Sequence, residues 1–245
     1  MVASSGVAER VAQVQQRIAA ACAEVGRDPA EVRLMAVTKT HGPELLREAY
    51  DAGLRLFGEN RVQEAVGKLD AFADCPDLRW AVIGHLQSNK AKQALGFAAE
   101  LHTLDSLKLA ESLDRRLQEE GRGLDVFVQV NSSGEDSKFG LAPEAVPEFA
   151  RELERFATLK VRGLMTLAVF SDDAELVGAC FGRMRDLQSR LQDTDDHPER
   201  WHELSMGMSG DYELAIGYGA TTVRVGQAIF GDRLDPNDYW PVSGR

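Results

Sequence analysis

Eight short runs that favour β-strands alternate with longer helical patterns along this chain of 245 residues. The runs lie at residues 34–38, 54–57, 80–84, 101–104, 126–130, 161–168, 202–205 and 222–225. Each run is followed by an amphipathic segment, commonly bounded by Gly or Pro, that predicts a helix. Repeated β-α-β units give parallel strands, and eight of them close into a barrel of about 250 residues. We therefore expect a single (β/α)8 TIM barrel.

The rest of the chain fits one domain. Apolar residues recur at helical spacing near the N-terminus: Val7, Val11, Val14, Ile18 and Cys22. This spacing predicts a helix over residues 7–25 ahead of the barrel. No linker rich in Gly, Ser or Pro divides the chain, so we expect one domain over residues 1–245 with a short C-terminal tail. An open doubly wound sheet is the alternative, but it would favour a Gly-rich turn after the first strand, and no GxGxxG occurs there.

The net charge and the cysteine content limit which partners and which cellular compartment we expect for this chain. The net charge of −11 disfavours nucleic acid and anionic lipid as main partners, because both would be repelled. No apolar run approaches the ~20 residues of a membrane span, and no secretion signal is recognisable. The cysteines Cys22, Cys75 and Cys180 are scattered and odd in number, which is typical of reduced thiols in the cytoplasm. No HExxH or CxxC motif occurs, so we expect no metal site.

Polar side chains collect where the predicted strands end, which is the functional face of such a barrel. Lys39 ends the first run, and partial burial would lower its pKa and favour the neutral amine that attacks a carbonyl. The alternative is a lysine that reaches solvent or pairs with a carboxylate. Further candidates at strand ends are Asn60, His85, Gln87, Asn131, Met165, Thr166, Ser205, Ser209, Arg224 and Gln227.

Two glycine turns end the last two strands. Ser205-Met-Gly-Met-Ser-Gly210 and Val223-Arg-Val-Gly-Gln227 offer backbone amides at helix starts, which bind anions such as phosphate. An ordinary helix cap and a salt-bridging arginine are the alternatives. Together with Lys39, the turns and Arg224 fit pyridoxal 5′-phosphate, with its aldehyde on the lysine as a Schiff base. Arginine stays charged, so a ring nitrogen beside Arg224 would stay unprotonated and the ring would be a weak electron sink.

Seven ordered motifs carry a family resemblance over nearly the whole chain. They are Ala36-Val-Thr-Lys39, Phe57-Gly-Glu-Asn-Arg-Val-Gln-Glu64, Ile83-Gly-His-Leu-Gln-Ser-Asn-Lys90, Val130-Asn-Ser-Ser-Gly-Glu-Asp-Ser-Lys-Phe-Gly140, Arg162-Gly-Leu-Met-Thr166, Leu204-Ser-Met-Gly-Met-Ser209 and Val223-Arg-Val-Gly-Gln-Ala-Ile-Phe-Gly231. With these motifs the chain resembles the pyridoxal phosphate homeostasis protein family, which is similar to the N-terminal barrel of alanine racemases.

The resemblance implies pyridoxal 5′-phosphate on Lys39, a role in supplying or buffering this cofactor, and no established catalytic turnover. It implies phosphate contacts at Ser209, Gly226 and position 227, with Arg224 at the ring nitrogen. The expected cofactor-binding set is Lys39, Asn60, Met165, Ser205, Ser209, Arg224, Gly226 and Gln227. Position 227 is Gln where the family usually has Thr or Ser, which leaves only the backbone amide there. Ala81-Val82 also replaces the more usual Trp-His.

A racemase needs acid or base groups on both faces of the cofactor. Related racemases take a tyrosine from a second β-domain, and this chain ends about 14 residues past Gly231. None of its four tyrosines is an obvious second-face acid: Tyr50, Tyr212, Tyr218 and Tyr239. We therefore favour a cofactor carrier that is not an enzyme. The alternatives are an amino-acid racemase or lyase of low activity, and a Schiff-base aldolase that uses Lys39 without a cofactor.

Several partner assignments follow as expectations. Apo-enzymes that use pyridoxal 5′-phosphate are candidate recipients, and we expect neither nucleic acid nor membrane as a partner. We expect a monomer, because no racemase dimerisation domain is recognisable. Lys138 is a secondary candidate that would receive the cofactor in transit, with a solvated loop lysine as the alternative. Glu59 would pair with either Arg61 or Arg224, and the sequence does not decide between them.

Overall fold

The computed structural model describes residues 6–231, and they contain a closed barrel of eight parallel strands. The strands are β1 (Arg33–Val37), β2 (Leu56–Glu59), β3 (Arg79–Val82), β4 (Ala98–Leu104), β5 (Leu124–Val130), β6 (Leu159–Thr166), β7 (Glu203–Ser205) and β8 (Thr222–Val225). Each strand pairs with the next in sequence, and β8 pairs in parallel with β1. The expected (β/α)8 barrel is confirmed, and the open doubly wound sheet is excluded.

Helices cover the outside of the barrel. They are α1 (Val7–Glu24), α2 (Pro43–Asp51), α3 (Val62–Leu69), α4 (Ala91–Leu95), α5 (Leu107–Glu120), α6 (Val146–Leu153), α7 (Ala174–Thr194), α8 (Tyr212–Gly217) and α9 (Gln227–Phe230). Helix α1 precedes the barrel and packs its buried apolar face against α8 and α9. The predicted C-terminal tail, with Tyr239 and Trp240, lies outside the described residues.

Two helix starts depend on side-chain oxygens that accept from exposed backbone amides. Ser106 Oγ accepts from the amide of Leu109 at 3.4 Å, and Asp173 Oδ1 accepts from the amide of Glu175 at 2.9 Å. Each bond satisfies a donor that the first helical turn leaves without an intrahelical partner. Ser106 therefore caps the N-terminus of α5, and Asp173 caps that of α7.

Strand β2 lies two residues later than the sequence pattern predicts. Leu54 is still in the turn after α2, where its amide donates to the carbonyl of Ala49 at 3.1 Å. Gly58 and Glu59 complete the strand by pairing with β3. The apolar run misled the prediction because Leu54 is buried in the core without belonging to the strand.

Strand β4 begins at Ala98, three residues before the predicted start. The strand carries Glu100 and His102, both buried, so it lacks the apolar appearance of its neighbours. Its pairing with β5 is interrupted by a register shift between Leu101 and Leu104. These two polar side chains lie inside the barrel and lead to the site described below.

The barrel interior has two chemically different halves. On one side Met35, Leu56 and Ala81 form a small apolar cluster with Ile83, separate from the large core beneath the helices. On the other side the interior positions of β4, β7 and β8 carry buried polar side chains: Glu100, His102, Ser205, Thr222 and Arg224. Polar groups buried this deeply require hydrogen-bond partners, and the interior of the barrel supplies them.

Two further observations concern the described residues as a whole. Among residues 6–231, no helix is both long and apolar enough to cross a membrane. Cys22, Cys75 and Cys180 are buried free thiols rather than disulfide partners.

Glycine at position 163 is required by the approach of β6 to β7, so we predict that Gly163→Ala destabilises the barrel. A Cβ at this position would lie 1.8 Å from the carbonyl oxygen of Glu203, which is main chain and has little freedom to move. We expect a loss of about 3 kcal/mol in the free energy of unfolding, measured by urea denaturation.

The matched control is Gly67→Ala in α3, where a Cβ meets nothing within 4 Å. Because alanine favours a helix over glycine, this control should gain up to about 1 kcal/mol. Equal stabilities of the two variants would contradict the packing described here.

Candidate functional site at the barrel mouth

Lys39 lies two residues beyond the end of β1 and is half-buried. Side chains alternate along a strand, so Met35 and Val37 share one face of β1, and Lys39 follows in the turn after the strand. Pairing of β1 with β8 sets Met35 opposite Arg224. The turn that carries Lys39 therefore follows the strand that lies beside Arg224.

Arg224 is a buried cation, with 3% of its surface exposed. Its Nη1 donates to Ser205 Oγ at 2.8 Å, and its Nη2 donates to the carbonyl of Thr166 at 2.7 Å. Burial lowers the pKa of Arg224 to about 10, although the charge of Asp211 opposes this shift. The guanidinium thus remains protonated at neutral pH and is held rigidly by the ends of β6 and β7.

A hydrogen-bonded chain continues from Arg224 through the barrel interior. Ser205 Oγ lies 2.9 Å from His102 Nδ1, and His102 Nε2 lies 2.9 Å from Glu100 Oε2. Burial lowers the pKa of His102 to about 4, although Glu100 opposes this shift. A neutral ring beside a carboxylate must donate from Nε2, which leaves Nδ1 to accept from the Ser205 hydroxyl. Ser205 Oγ in turn accepts from Arg224, so every step of the chain has a donor and an acceptor.

The hydrogen-bonded chain from Arg224 ends among ion pairs at the end of the barrel where the strands begin. Arg33 donates to Glu100 Oε1 and to Glu203 Oε2, both at 2.8 Å. Burial favours a raised pKa for Glu100, but the His102 hydrogen bond and the charge of Arg33 lower that pKa to about 2. A recess at this end is lined by arginines and carboxylates that pair with one another. Lys39 and the loop after β8 lie at the other end of the barrel.

A loop that presents backbone amides lies beside Lys39. Ser209 Oγ accepts from the amides of Gly226 at 3.2 Å and Ala228 at 3.4 Å, so these two amides converge on one oxygen. A Cβ at Gly226 would lie 3.1 Å from the carbonyl oxygen of Val37, which places the loop against the end of β1. Amides that converge on one oxygen in this way suit a phosphate oxygen.

Among the predicted residues, the strand register and hydrogen bonds connect two groups. Met165 is fully buried and pairs in register with Ser205, which contacts Arg224. Ser209 and Gly226 form the second group through the amide contact described above, and the side chain of Gln227 beside them is exposed. Asn60 is half-buried just after β2, and its carbonyl oxygen would lie 2.2 Å from a Cβ at Gly84.

A cluster behind Lys39 was missed by sequence reasoning. Glu59, Glu64 and Lys68 are buried together between β2 and α3, with Lys68 Nζ 2.6 Å from Glu59 Oε1 and 2.8 Å from Glu64 Oε1. Glu59 therefore pairs with Lys68, and the predicted pairing with Arg61 or Arg224 is wrong. The spacing of Glu64 and Lys68 by four residues signals an ion pair, but it is more typical of a solvated helix face.

Burial and neighbouring charges shift the pKa values of the side chains in this cluster. Burial raises the pKa of Glu59 to about 7, against the opposing effect of Lys68 and with a further rise from Glu64. Burial favours a lower pKa for Lys68, but the two carboxylates raise it above the ordinary value. Lys68 therefore remains an ammonium at neutral pH and stays available to donate hydrogen bonds.

Lys138 lies in the loop after β5 and is tied to the protein. Its Nζ donates to the carbonyl of Ala168 at 2.9 Å and pairs with Glu135. Nearby, His85 stacks on the exposed ring of Phe139 with centroids 4.1 Å apart. Among residues 6–231, no group of three or more His, Cys, Asp or Glu side chains is arranged to bind a metal ion.

The fold and the site first define a class of protein. Residues 10–234 match the sequence profile of the alanine racemase N-terminal domain. This match agrees with the closed barrel of eight parallel strands in the described residues.

Closer relatives identify the family. A pyridoxal phosphate homeostasis protein of Pseudomonas aeruginosa is 44% identical over 229 residues, which cover 94% of this chain and 96% of the relative. One from Aquifex aeolicus is 40% identical and covers 92% and 97% of the two chains. The structure of PipY from Synechococcus elongatus with pyridoxal phosphate bound is similar at a TM-score of 0.81 and 38% identity, covering 92% and 100%. The chain belongs to the pyridoxal phosphate homeostasis protein family.

The buried histidine predicts a pH dependence of stability. The unfolded chain binds a proton on His102 near pH 6.5, whereas the native chain does so only near pH 4. The free energy of unfolding should therefore fall as the pH drops through this window, with about 2 kcal/mol from His102 between pH 7 and pH 4.5.

Urea denaturation of wild type and His102→Gln at both pH values isolates this contribution. We expect the variant to lose less stability on acidification by about that amount. An identical loss in both proteins would show that His102 is not held neutral.

Proposed function

We propose that this chain holds pyridoxal 5′-phosphate as a Schiff base on Lys39 and buffers or delivers it, without turning over a substrate of its own. The observation that carries the proposal is the pairing of β1 with β8. This pairing brings the lysine, the buried Arg224 and the amides of Gly226 and Ala228 to one end of the barrel. The relatives named for pyridoxal phosphate homeostasis, and PipY with pyridoxal phosphate bound, support the assignment.

The residues at the mouth fit the chemical groups of the cofactor. When bound, pyridoxal 5′-phosphate supplies an aldehyde that condenses with a neutral amine and releases water. Lys39 is half-buried in the turn after β1, and its side chain carries the primary amine that this condensation requires. Arg224 offers a fixed N–H donor to the ring, and its own orientation is set by Ser205 and Thr166.

The phosphate is assigned to the loop of Gly226 to Ala228. In the protein the two end amides of this loop converge on Ser209 Oγ. A phosphate oxygen is a stronger acceptor than a hydroxyl because it carries charge. The Ser209 hydroxyl then becomes free to donate to the same phosphate.

The described tyrosines support a carrier over a racemase. Tyr50 contacts Asp77 and Arg55, and Tyr218 packs against Phe181, so both face the outer layers of the barrel. Tyr212 is buried in the core formed by the helices. None of these three contacts the interior chain of Arg224, Ser205 and His102 within residues 6–231. A positively charged Arg224 at the ring also disfavours carbanion chemistry.

The proposal also covers the cellular compartment, the oligomeric state and the recipients of the cofactor. We place the protein in the cytoplasm, because three buried free thiols suit a reducing compartment. We propose a monomer formed by one barrel domain, with apo-enzymes that require pyridoxal 5′-phosphate as recipients. Lys138 is proposed only as a secondary amine near the mouth.

The test of the covalent site compares two lysine variants. Protein incubated with pyridoxal 5′-phosphate and reduced with borohydride should carry the cofactor mass on the peptide that contains Lys39. Lys39→Ala should abolish this adduct and the absorbance of the imine, whereas Lys138→Ala should retain both, because Lys138 is engaged with Ala168 and Glu135. Equal labelling in Lys39→Ala and wild type would reject the assignment.

The phosphate loop predicts discrimination between pyridoxal 5′-phosphate and pyridoxal. Loss of two or three charge-assisted hydrogen bonds should weaken the binding of pyridoxal by about 100-fold or more. Ser209→Ala should weaken the phosphorylated ligand about tenfold and leave pyridoxal unchanged, as measured by absorbance titration.

Ser112→Ala on α5 is the matched control, because that hydroxyl donates to the carbonyl of Ser88 at 3.4 Å and not to the loop of Gly226 to Ala228. It should change neither affinity. An equal loss of both ligands in Ser209→Ala would show that Ser209 does not contact the phosphate.

A further inference from the structure

The buried cluster of Glu59, Glu64 and Lys68 is aimed at the main chain on both sides of Lys39. Lys68 Nζ donates to the carbonyl of Thr38 at 2.8 Å. Glu64 Oε1 accepts from the backbone amide of Thr40. The peptide groups before and after Lys39 are therefore held by the same two side chains.

Glu59, at the end of β2, completes this set of contacts, and we call Glu59, Glu64 and Lys68 together the clamp. Its Oε1 accepts from Lys68 at 2.6 Å and from the hydroxyl of Thr38 at 2.6 Å. The side chains of Glu59 and Lys68 are only 1% and 2% exposed, so neither contact is weakened by water. The cluster thus connects β2 and α3 to the turn that carries Lys39.

That turn has an unusual backbone. Thr40 has φ of 65°, and no other residue except glycine has a positive φ within residues 6–231. A β-branched residue in the left-handed region is strained, and such strain persists only where surrounding contacts impose it. The Thr40 amide donates to the Glu64 carboxylate, and the His41 amide donates to the carbonyl of Thr38 at 3.3 Å, so both contacts hold this turn.

Stability alone is a poor explanation for three buried charges at this position. Replacing a buried ion pair by apolar side chains of similar volume is often neutral or stabilising. Charged side chains can accept a hydrogen bond from one peptide group and donate a hydrogen bond to another, which apolar side chains cannot do. The contacts with Thr38 and Thr40 are of this kind.

We propose that Glu64, together with Lys68 and Glu59, is a positioning residue that holds Lys39 in the orientation needed to react with an aldehyde at the barrel mouth. This inference rests on the proposed function for the identity of the aldehyde. The geometric part, a turn fixed on both sides of Lys39, is independent of any ligand.

The first experiment measures the turn without cofactor. In Glu64→Ala the Thr40 amide loses its acceptor, while Lys68 and Glu59 remain as a balanced pair. Amide hydrogen exchange of the peptide over residues 36–42 should become at least about tenfold faster than in wild type. Asp114→Ala is the matched control, because Asp114 is a buried carboxylate that accepts from the amide of Thr158 at 3.1 Å, at the other end of the barrel.

The second experiment measures the reactivity of Lys39. The rate at which pyridoxal 5′-phosphate is trapped on Lys39 by borohydride should fall about tenfold or more in Glu64→Ala and stay at the wild-type value in Asp114→Ala. Equal rates and equal exchange in the two variants would overturn the inference. If wild type itself traps nothing on Lys39, the proposed function fails, and the exchange experiment still tests the clamp.

Conservative variants separate geometry from charge and replace Glu64→Ala if it does not fold. Glu64→Gln keeps an oxygen that accepts from Thr40 and Lys68, so it should retain most of the rate. Glu64→Asp keeps the charge but is one methylene too short, so it should be slow. A Gln variant as slow as the Asp variant, or an Asp variant as fast as wild type, would overturn the proposal.

Relief of the strain gives an independent check. Glycine adopts a φ of 65° without cost, so Thr40→Gly should restore part of the lost rate in the Glu64→Ala background. No gain in the double variant would contradict a role for Glu64 in holding this turn.

Discussion

The parallel pairing of β1 with β8 closes the barrel, and every feature of the site depends on it. It sets Met35 opposite Arg224, so the strand that ends on Lys39 lies beside the strand that carries the guanidinium. It also brings Gly226 against the carbonyl of Val37, which fixes the amide loop next to the lysine. Residues almost 190 positions apart in sequence thereby form one end of a barrel whose closure leaves no free edge.

A second constraint is the burial of charge inside this barrel. A buried guanidinium is tolerated only when its donors are satisfied. The hydrogen bonds of Arg224 to Ser205 and Thr166 satisfy two of them, and the chain through His102 to Glu100 gives a countercharge in the interior. The neighbouring part of the interior, formed by β1 to β3 around Met35, is apolar.

The sequence predicted the barrel because eight strand patterns alternate with helical ones. Parallel strands all end at one face of the barrel, which is why Lys39 and Ser209 lie beyond the same ends of their strands. The sequence did not indicate that His102 is buried in the barrel interior, because β4 carries polar side chains where the strands of such a barrel normally look apolar. It did not predict the Glu64–Lys68 clamp either. The same four-residue spacing is usual on solvated helices, and only tertiary packing distinguishes the two.

The central claim is that Lys39, Arg224 and the loop after β8 act on one ligand. A crystal structure of the protein grown with pyridoxal 5′-phosphate tests it most directly. We expect continuous density from Lys39 Nζ to the cofactor, Arg224 at the ring nitrogen, and the phosphate within hydrogen-bond distance of the amides of Gly226 and Ala228. Cofactor bound on another lysine, or a phosphate held at the arginine-lined recess around Arg33, would contradict the account.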